Sequence, residues 1–286
     1  MDTVRTIAEL RATTRSWRHA ASSIGLVPTM GGLHDGHVAL VRRALSQCDR
    51  VIVSIFVNPR QFGSTDDLAR YPRREDEDRE KLAAAGAHLV FMPPVGEIYP
   101  GGFATAVSVA GPLTQVLDAV HRPGHFEGVA TVVAKLLLQA MPDIAFFGEK
   151  DFQQLQVVRR MVHDLDIPAR IEPVPTVRDA DGLALSSRNF NLSPDERRIA
   201  AAFPAVLFGT ADRIARGGDV EEALTAARGD LTRAGFGPVD YVELADAETL
   251  GPVRAVGSAP ARLFGAAWVG RTRLIDNIAV PPNPNP

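Results

Sequence analysis

Ile24-Gly-Leu-Val27 runs directly into Pro28-Thr-Met-Gly-Gly-Leu-His-Asp-Gly-His37, and this junction decides the fold. The first four residues form a short apolar run of the kind found in strands buried on both faces. Gly31, Gly32 and Gly36 then loosen the backbone, after which Leu40, Val41, Ala44 and Leu45 recur at helical spacing over residues 37–47. Strand, Gly-rich turn and helix in that order make one half of a βαβ unit. The same pattern repeats outward: strands are expected at 51–57 and 88–92, separated by a charged helix at 73–85 that stops at Gly86. A further unit follows, with a helix at 128–140, Pro142, a strand at 143–147 and a helix at 152–165. Such alternation predicts an α/β, Rossmann-like parallel sheet with helices on both faces. In sheets of this kind, ligands bind beyond the carboxyl ends of the strands.

The pattern changes at Pro173-Val-Pro175. Helices are expected over 194–215 and 220–234, then three short strands near 239–244, 262–268 and 272–278. Helices followed by strands predict a smaller C-terminal α+β domain, so the chain divides into 1–176 and 177–286. Pro204 removes a backbone donor inside the first of these helices and should kink or break it. The Pro-rich end, Pro281-Pro-Asn-Pro-Asn-Pro286, is expected to be a disordered tail.

Composition sets limits on function. The 286 residues are 45% hydrophobic and 23% charged, with 31 basic against 34 acidic side chains. The formal charge of −3 excludes a nucleic-acid binder that relies on a globally basic surface. One cysteine, Cys48, can make no internal disulfide and no cysteine-based zinc site. Residues 1–20 carry charges throughout and no secretory apolar core, and no apolar run approaches the ~20 residues of a bilayer span. The expected setting is soluble and cytoplasmic.

Three stretches carry candidate chemistry. His34-Asp-Gly-His37 opens a helix after the first strand, where backbone amides and two imidazoles could meet an anion; a Gly-rich turn with two surface histidines, or a two-His metal pair, is the alternative. Gly31 and Gly36 have phosphate-loop spacing, but His37 stands where that motif needs Lys. Gly148-Glu-Lys-Asp151 also follows a strand: Gly148 permits close approach, Lys150 suits a phosphate, and Asp151 suits ribose hydroxyls or a metal. An ordinary turn with a capping Asp reads equally well there. Leu185-Ser-Ser-Arg188 supplies two hydroxyls and a guanidinium for a polyphosphate, or is a solvated linker. Glu77 and Asp78 read as part of a solvated acidic helix face.

Taken together, an HxGH turn and a hydroxyl-rich loop near the domain boundary resemble the nucleotidyl-transfer superfamily that includes class I aminoacyl-tRNA synthetases. Further motifs appear in order: Ser54-Ile-Phe-Val-Asn-Pro59, Gln61-Phe62, Tyr71-Pro-Arg73, Arg122-Pro-Gly-His-Phe126, Phe147-Gly-Glu-Lys-Asp-Phe-Gln-Gln154, Asp181-Gly-Leu-Ala-Leu-Ser-Ser-Arg-Asn189 and Arg273-Leu-Ile-Asp-Asn277. Over essentially the whole chain this resembles the pantoate–β-alanine ligase family.

The resemblance implies a reaction in which ATP, pantoate and β-alanine become pantothenate, AMP and pyrophosphate through a pantoyl adenylate, with Mg²⁺ bound mainly through the ATP phosphates. It implies ATP along Met30, Gly31, Gly32, Leu33, His34, Asp35, Gly36 and His37, then Gly148, Glu149, Lys150, Asp151, Val177, Leu185, Ser186, Ser187 and Arg188. It makes His37 the catalytic residue and gives pantoate to Gln61 and Gln154, and it implies a homodimer formed through the first domain. Neutral amides suit pantoate, whose carboxylate must stay nucleophilic rather than be tied up by a bidentate Arg. A nucleotidyltransferase using the same HxGH machinery is the alternative enzyme, and an ATP-binding scaffold the alternative of another class. Arg60, Asn191 and Pro204, and Leu117-Asp-Ala-Val120, depart from the residues usual in the family.

Overall fold

A computed structural model describes residues 1–282; the expectation for 283–286 lies outside the described residues. The chain divides into two compact units. The first comprises residues 1–110, 122–149 and 154–175, and the second comprises 111–121, 150–153 and 176–286.

The first unit is a six-stranded sheet built from β1 (Asp2–Val4), β2 (Ile24–Thr29), β3 (Arg50–Ile55), β4 (Leu89–Phe91), β5 (Ile144–Gly148) and β6 (Arg170–Val174). Their order is β1-β4-β3-β2-β5-β6, and every pairing is parallel. From β2 the chain winds one way through β3 and β4, then returns to β5 and β6 on the other side of β2. The strand order therefore reverses between β2 and β5, the place where a doubly wound sheet opens its ligand crevice. The offset that pairs Gly25 with Ile144 brings Thr29 level with Gly148, so the HxGH turn and Gly148 leave adjacent strand ends.

Val27, Val51, Val53, Val90 and Phe146 from the strands pack with Leu40, Val41 and Ala44 of the helix Asp35–Leu45 and Leu82 of the helix Glu75–Ala85. Each Val, Leu or Phe side chain among these, fully buried, contributes about 1.5–3 kcal/mol relative to exposure. The helix His125–Ala140 is buried over most of its length, including Phe126, Val129, Leu136 and Leu137. It begins before the expected residue 128.

Two strands were not expected. β1 is three residues long, too short for a periodicity to register, and exists by pairing with β4. β6 contains Pro173 and lies at the sheet edge, where a missing amide is tolerated.

In the second unit, helices Pro194–Ala200, Ala202–Ala215 and Val220–Ala234 cover an antiparallel sheet of β7 (Val239–Asp246), β8 (Ala261–Val269) and β9 (Thr272–Val280), ordered β7-β8-β9. The helix break expected at Pro204 falls three residues earlier, at Ala201. Pro204 then occupies the first turn of the next helix, where its absent N–H has no partner to lose. Phe203, Leu207, Leu224, Leu231, Val242, Leu263 and Leu274 form this unit's core. Asn191 ends a short 3₁₀ turn at the surface, which accommodates its polar side chain.

Candidate active site

His34 is the N-cap of the helix Asp35–Leu45, in extended backbone conformation. Its Nδ1 accepts from the Gly36 amide at 3.1 Å, while His37 Nδ1 accepts from the His34 amide at 3.3 Å. The two imidazoles thus form a reciprocal capping box, the role usually taken by Ser or Thr with Glu or Gln. Their rings lie 4.1 Å apart between centroids. A nitrogen that accepts from a backbone N–H carries no proton, so each neutral ring bears its proton on Nε2.

Several amides of this turn are engaged within the protein. Gly32 N and Leu33 N donate to the two oxygens of Asp78 at 2.8 and 2.7 Å. The amides of His37 and Val38 donate to the His34 carbonyl. Asp78, expected on a solvated face, is 1% exposed. Burial raises its pKa, opposed by the Leu33 and Gly32 amides and by Lys81. Lys81 Nζ donates to the Leu33 carbonyl at 2.7 Å, and the Tyr71 hydroxyl donates to the Gly31 carbonyl at 3.4 Å. Gly31 and Gly32 both adopt positive φ, +84° and +61°, which this tight turn over a carboxylate requires. No sequence signal marked Asp78, which is the fourth acid in the run Glu75-Asp76-Glu77-Asp78.

Gln61 lies in the 3₁₀ turn Pro59–Gln61 beyond β3 and is buried. Asn58 Nδ2 donates to Gln61 Oε1 at 2.9 Å and to the Gly128 carbonyl at 3.0 Å, and Tyr99 donates its hydroxyl to Asn58 Oδ1. The Gln61 side-chain oxygen is thus engaged within the protein. His125 Nδ1 meets the Gln61 carbonyl at 2.9 Å, and Arg122 sits 3.1 Å from His125 Nε2. Asn58, Arg122 and His125 lie within motifs quoted from the sequence, yet no role could be given them until the fold placed them around Gln61. Gly128 is essential to this arrangement, because a Cβ there would stand 2.3 Å from the Arg60 carbonyl oxygen. Arg60 itself lies over the rings of Tyr99 and Phe103, at 5.6 and 5.3 Å.

Gln154 is half-buried on the helix Phe152–Asp164 that follows β5. Its neighbour Gln153 is a structural residue: Oε1 accepts from the Asp118 amide, and Nε2 donates to the Leu113 and Val116 carbonyls. Gly148 ends β5, and Glu149, Lys150 and Asp151 form the 3₁₀ turn after it. Met30, Gly31, Gly32, Leu33, His34, Asp35, Gly36, His37, Gln61, Gly148, Glu149 and Gln154 belong to the first unit.

Lys150, Asp151, Val177, Leu185, Ser186, Ser187 and Arg188 belong to the second. There the Leu185 amide donates to the Val177 carbonyl at 3.0 Å, which closes a hairpin and brings those two expected residues side by side. Ser186 Oγ accepts from the Arg188 amide and caps the 3₁₀ turn Ser187–Asn191. Lys150 Nζ is 3.5 Å from Asp151 Oδ1. Among the described residues no group of three or more His, Cys, Asp or Glu is arranged to hold a metal ion. No helix among them is long and apolar enough to cross a membrane.

Residues 2–279 match the family model described as pantoate-beta-alanine ligase. A pantothenate synthetase of Chelativorans sp. (strain BNC1) is 55% identical over 276 residues, covering 96% of each chain. One from Rhizorhabdus wittichii is 56% identical over 284 residues, covering 99% of this chain and all of the other. Among solved structures, pantothenate synthetase from Thermus thermophilus superposes with a TM-score of 0.91 at 49% identity, covering 99% of this chain and 100% of that one. Pantoate-beta-alanine ligase from Francisella tularensis, complexed with beta-gamma ATP and beta-alanine, gives a TM-score of 0.82 at 34% identity, over 98% and 97% of the two chains. A doubly wound sheet with a His-capped turn at its crossover, matched from end to end by these relatives, places the chain in the pantoate–β-alanine ligase family.

Proposed function

We propose that the chain condenses pantoate with β-alanine, converting ATP to AMP and pyrophosphate through a pantoyl adenylate. The observation that carries the mechanism is the reciprocal His34–His37 cap at the strand crossover, which fixes two Nε2–H donors on one helix end. In the first step a pantoate carboxylate oxygen attacks the α-phosphorus, and the bond to the β-phosphate oxygen breaks. Charge grows on the departing pyrophosphate, and preorganised donors stabilise it more than they stabilise bound ATP. His37 is the catalytic residue in this reading. ATP is assigned to residues 30–37, 148–151, Val177 and 185–188, with Lys150 and Arg188 as phosphate partners and Mg²⁺ arriving on the nucleotide.

Gln61 and Gln154 hold pantoate. Gln61 serves as a donor to its oxygens, because Asn58 has taken the Gln61 side-chain oxygen. In the second step the β-alanine amine attacks the acyl carbon, the bond to the AMP oxygen breaks, and the amine loses a proton. Residues 1–176 act as the nucleotide- and pantoate-binding domain, with 177–286 as a lid that keeps water from the mixed anhydride. By the family resemblance the enzyme is a homodimer formed through the first domain; light scattering in solution tests this. The small net negative charge favours small-molecule substrates over nucleic acid, and a cytoplasmic setting suits a single buried thiol.

The test is exchange of labelled pyrophosphate into ATP with pantoate alone, followed by AMP release with β-alanine added. Exchange that depends strictly on β-alanine would sink the adenylate route, and a nucleotidylated product in place of an amide would move the chain to the nucleotidyltransferase reading.

A further inference from the structure

The Arg273-Leu-Ile-Asp-Asn277 stretch of β9 has no part in the reaction above, yet three of its side chains are engaged in hydrogen bonds. Arg273 donates to Asp240 at 2.6 Å and to Asp118 at 2.8 Å, and Asp118 also accepts from the Tyr241 hydroxyl. Asp276, 3% exposed, accepts from the two terminal nitrogens of the Arg178 guanidinium at 2.6 and 2.9 Å. Asn277, 5% exposed, donates from Nδ2 to the Lys150 carbonyl at 2.9 Å and accepts from Arg262 on Oδ1. Arg262 in turn lies 3.9 Å over the ring of Phe152, which packs beside Phe264 of β8.

These contacts explain why residues 150–153 belong with the second unit although they directly follow β5 of the first. The backbone of Lys150 is tied to β9 through one buried amide, and Phe152, two residues on, is held through Arg262. A lysine side chain has four rotatable bonds, so its ammonium is placed only as well as the backbone that carries it. The carbonyl accepting from Asn277 is on Lys150 itself.

We infer that Asn277 is the positioning residue for the Lys150 ammonium, acting through the Lys150 carbonyl and not by touching substrate. The inference rests on the reading of Lys150 as a phosphate partner. A cation aimed at a developing charge loses much of its effect when displaced by about 1 Å, a shift that costs on the order of a hundredfold in favourable cases. A neighbouring group that merely stabilises the fold would not act through Lys150.

The experiment is a double-mutant cycle of Asn277→Asp with Lys150→Ala, read by single-turnover adenylate formation, the KM for pantoate and thermal unfolding. Asn277→Asp is isosteric and keeps the acceptor for Arg262, but it removes the donor to Lys150. The expected result is a loss of about ten- to a hundredfold in adenylate formation with the pantoate KM within about twofold of wild type. In the Lys150→Ala background the same change should cost little more. Equal losses in both backgrounds, or an Asn277→Asp enzyme as fast as wild type, would overturn the inference. If Lys150→Ala alone leaves adenylate formation intact, the phosphate role of Lys150 fails and the inference with it. If Asn277→Asp does not fold, Asn277→Ala, which also removes the donor and adds no charge, carries the same cycle.

Discussion

Replacing Asp78 by Asn probes whether the HxGH turn is held in place by one buried carboxylate. In the native turn, each oxygen of Asp78 accepts one backbone amide, from Gly32 at 2.8 Å and from Leu33 at 2.7 Å. Asn offers one oxygen, so one of these amides must face an NH₂ group, donor against donor. The side chain is 1% exposed, so water has little room to repair the mismatch. A stranded buried donor costs about 1–3 kcal/mol, and the neutral amide recovers part of this because it escapes the desolvation that burdens the carboxylate. The net expectation is a loss of about 1–2 kcal/mol, seen as a lower urea midpoint at unchanged m. Adenylate formation should fall with it, since Leu33 leads directly into the cap formed by His34 and His37.

A pH series isolates the carboxylate further. Burial raises the folded-state pKa of Asp78 above its unfolded value, so the folded state holds that proton more tightly. The stabilisation from this group is therefore complete below the unfolded pKa of ~3.9 and is lost as pH rises through the folded value. Asn has no such titration, so the gap in stability between wild type and variant should be larger at the acid end of that window and shrink as pH rises. An unchanged urea midpoint, or a gap that widens with rising pH, would refute the reasoning.

Three more outcomes are expected. His37→Ala should slow adenylate formation by about a hundred- to a thousandfold while equilibrium ATP binding changes far less, because in the proposed role its Nε2–H meets charge that grows in the transition state; equal losses in both would reduce His37 to a binding residue. Gly128→Ala should raise the KM for pantoate and cost about 1–3 kcal/mol of stability, because the new methyl would stand 2.3 Å from the Arg60 carbonyl and must push the Gln61 turn away; an enzyme indistinguishable from wild type would contradict that placement. Cys48→Ser should leave turnover unchanged, since the thiol is buried beyond the far end of the helix that His34 caps and its pKa is pushed up to about 11 chiefly by burial; loss of kcat without loss of folding would show otherwise.

Much of the molecule was open to reading from local pattern. The β-branched runs at β2 and β3, the amphipathic spacing after His37 and the stop at Gly86 are signals carried within a few residues, because a strand buried on both faces and a capped helix each impose a composition on their own segment. The turns carrying His34, His37 and Lys150 were legible for the same reason: each follows its strand directly in the chain.

What only the tertiary structure decided is how those turns are held and what their donors are. Asp78 reaches Gly32 across 46 residues, and Asn277 reaches Lys150 across 127. Nothing in the acidic helix distinguishes Asp78 from the exposed Glu77 beside it, since burial is a property of what packs on top. Likewise, no pattern in Gln153-Gln154 says which amide is tied to the segment at 113–118. The protonation of the two histidines depends on backbone geometry, because a nitrogen becomes an acceptor only when an amide is aimed at it. Hydrogen bonds of this reach are made between positions whose proximity only the folded chain creates, and so their partners leave no mark on the local sequence.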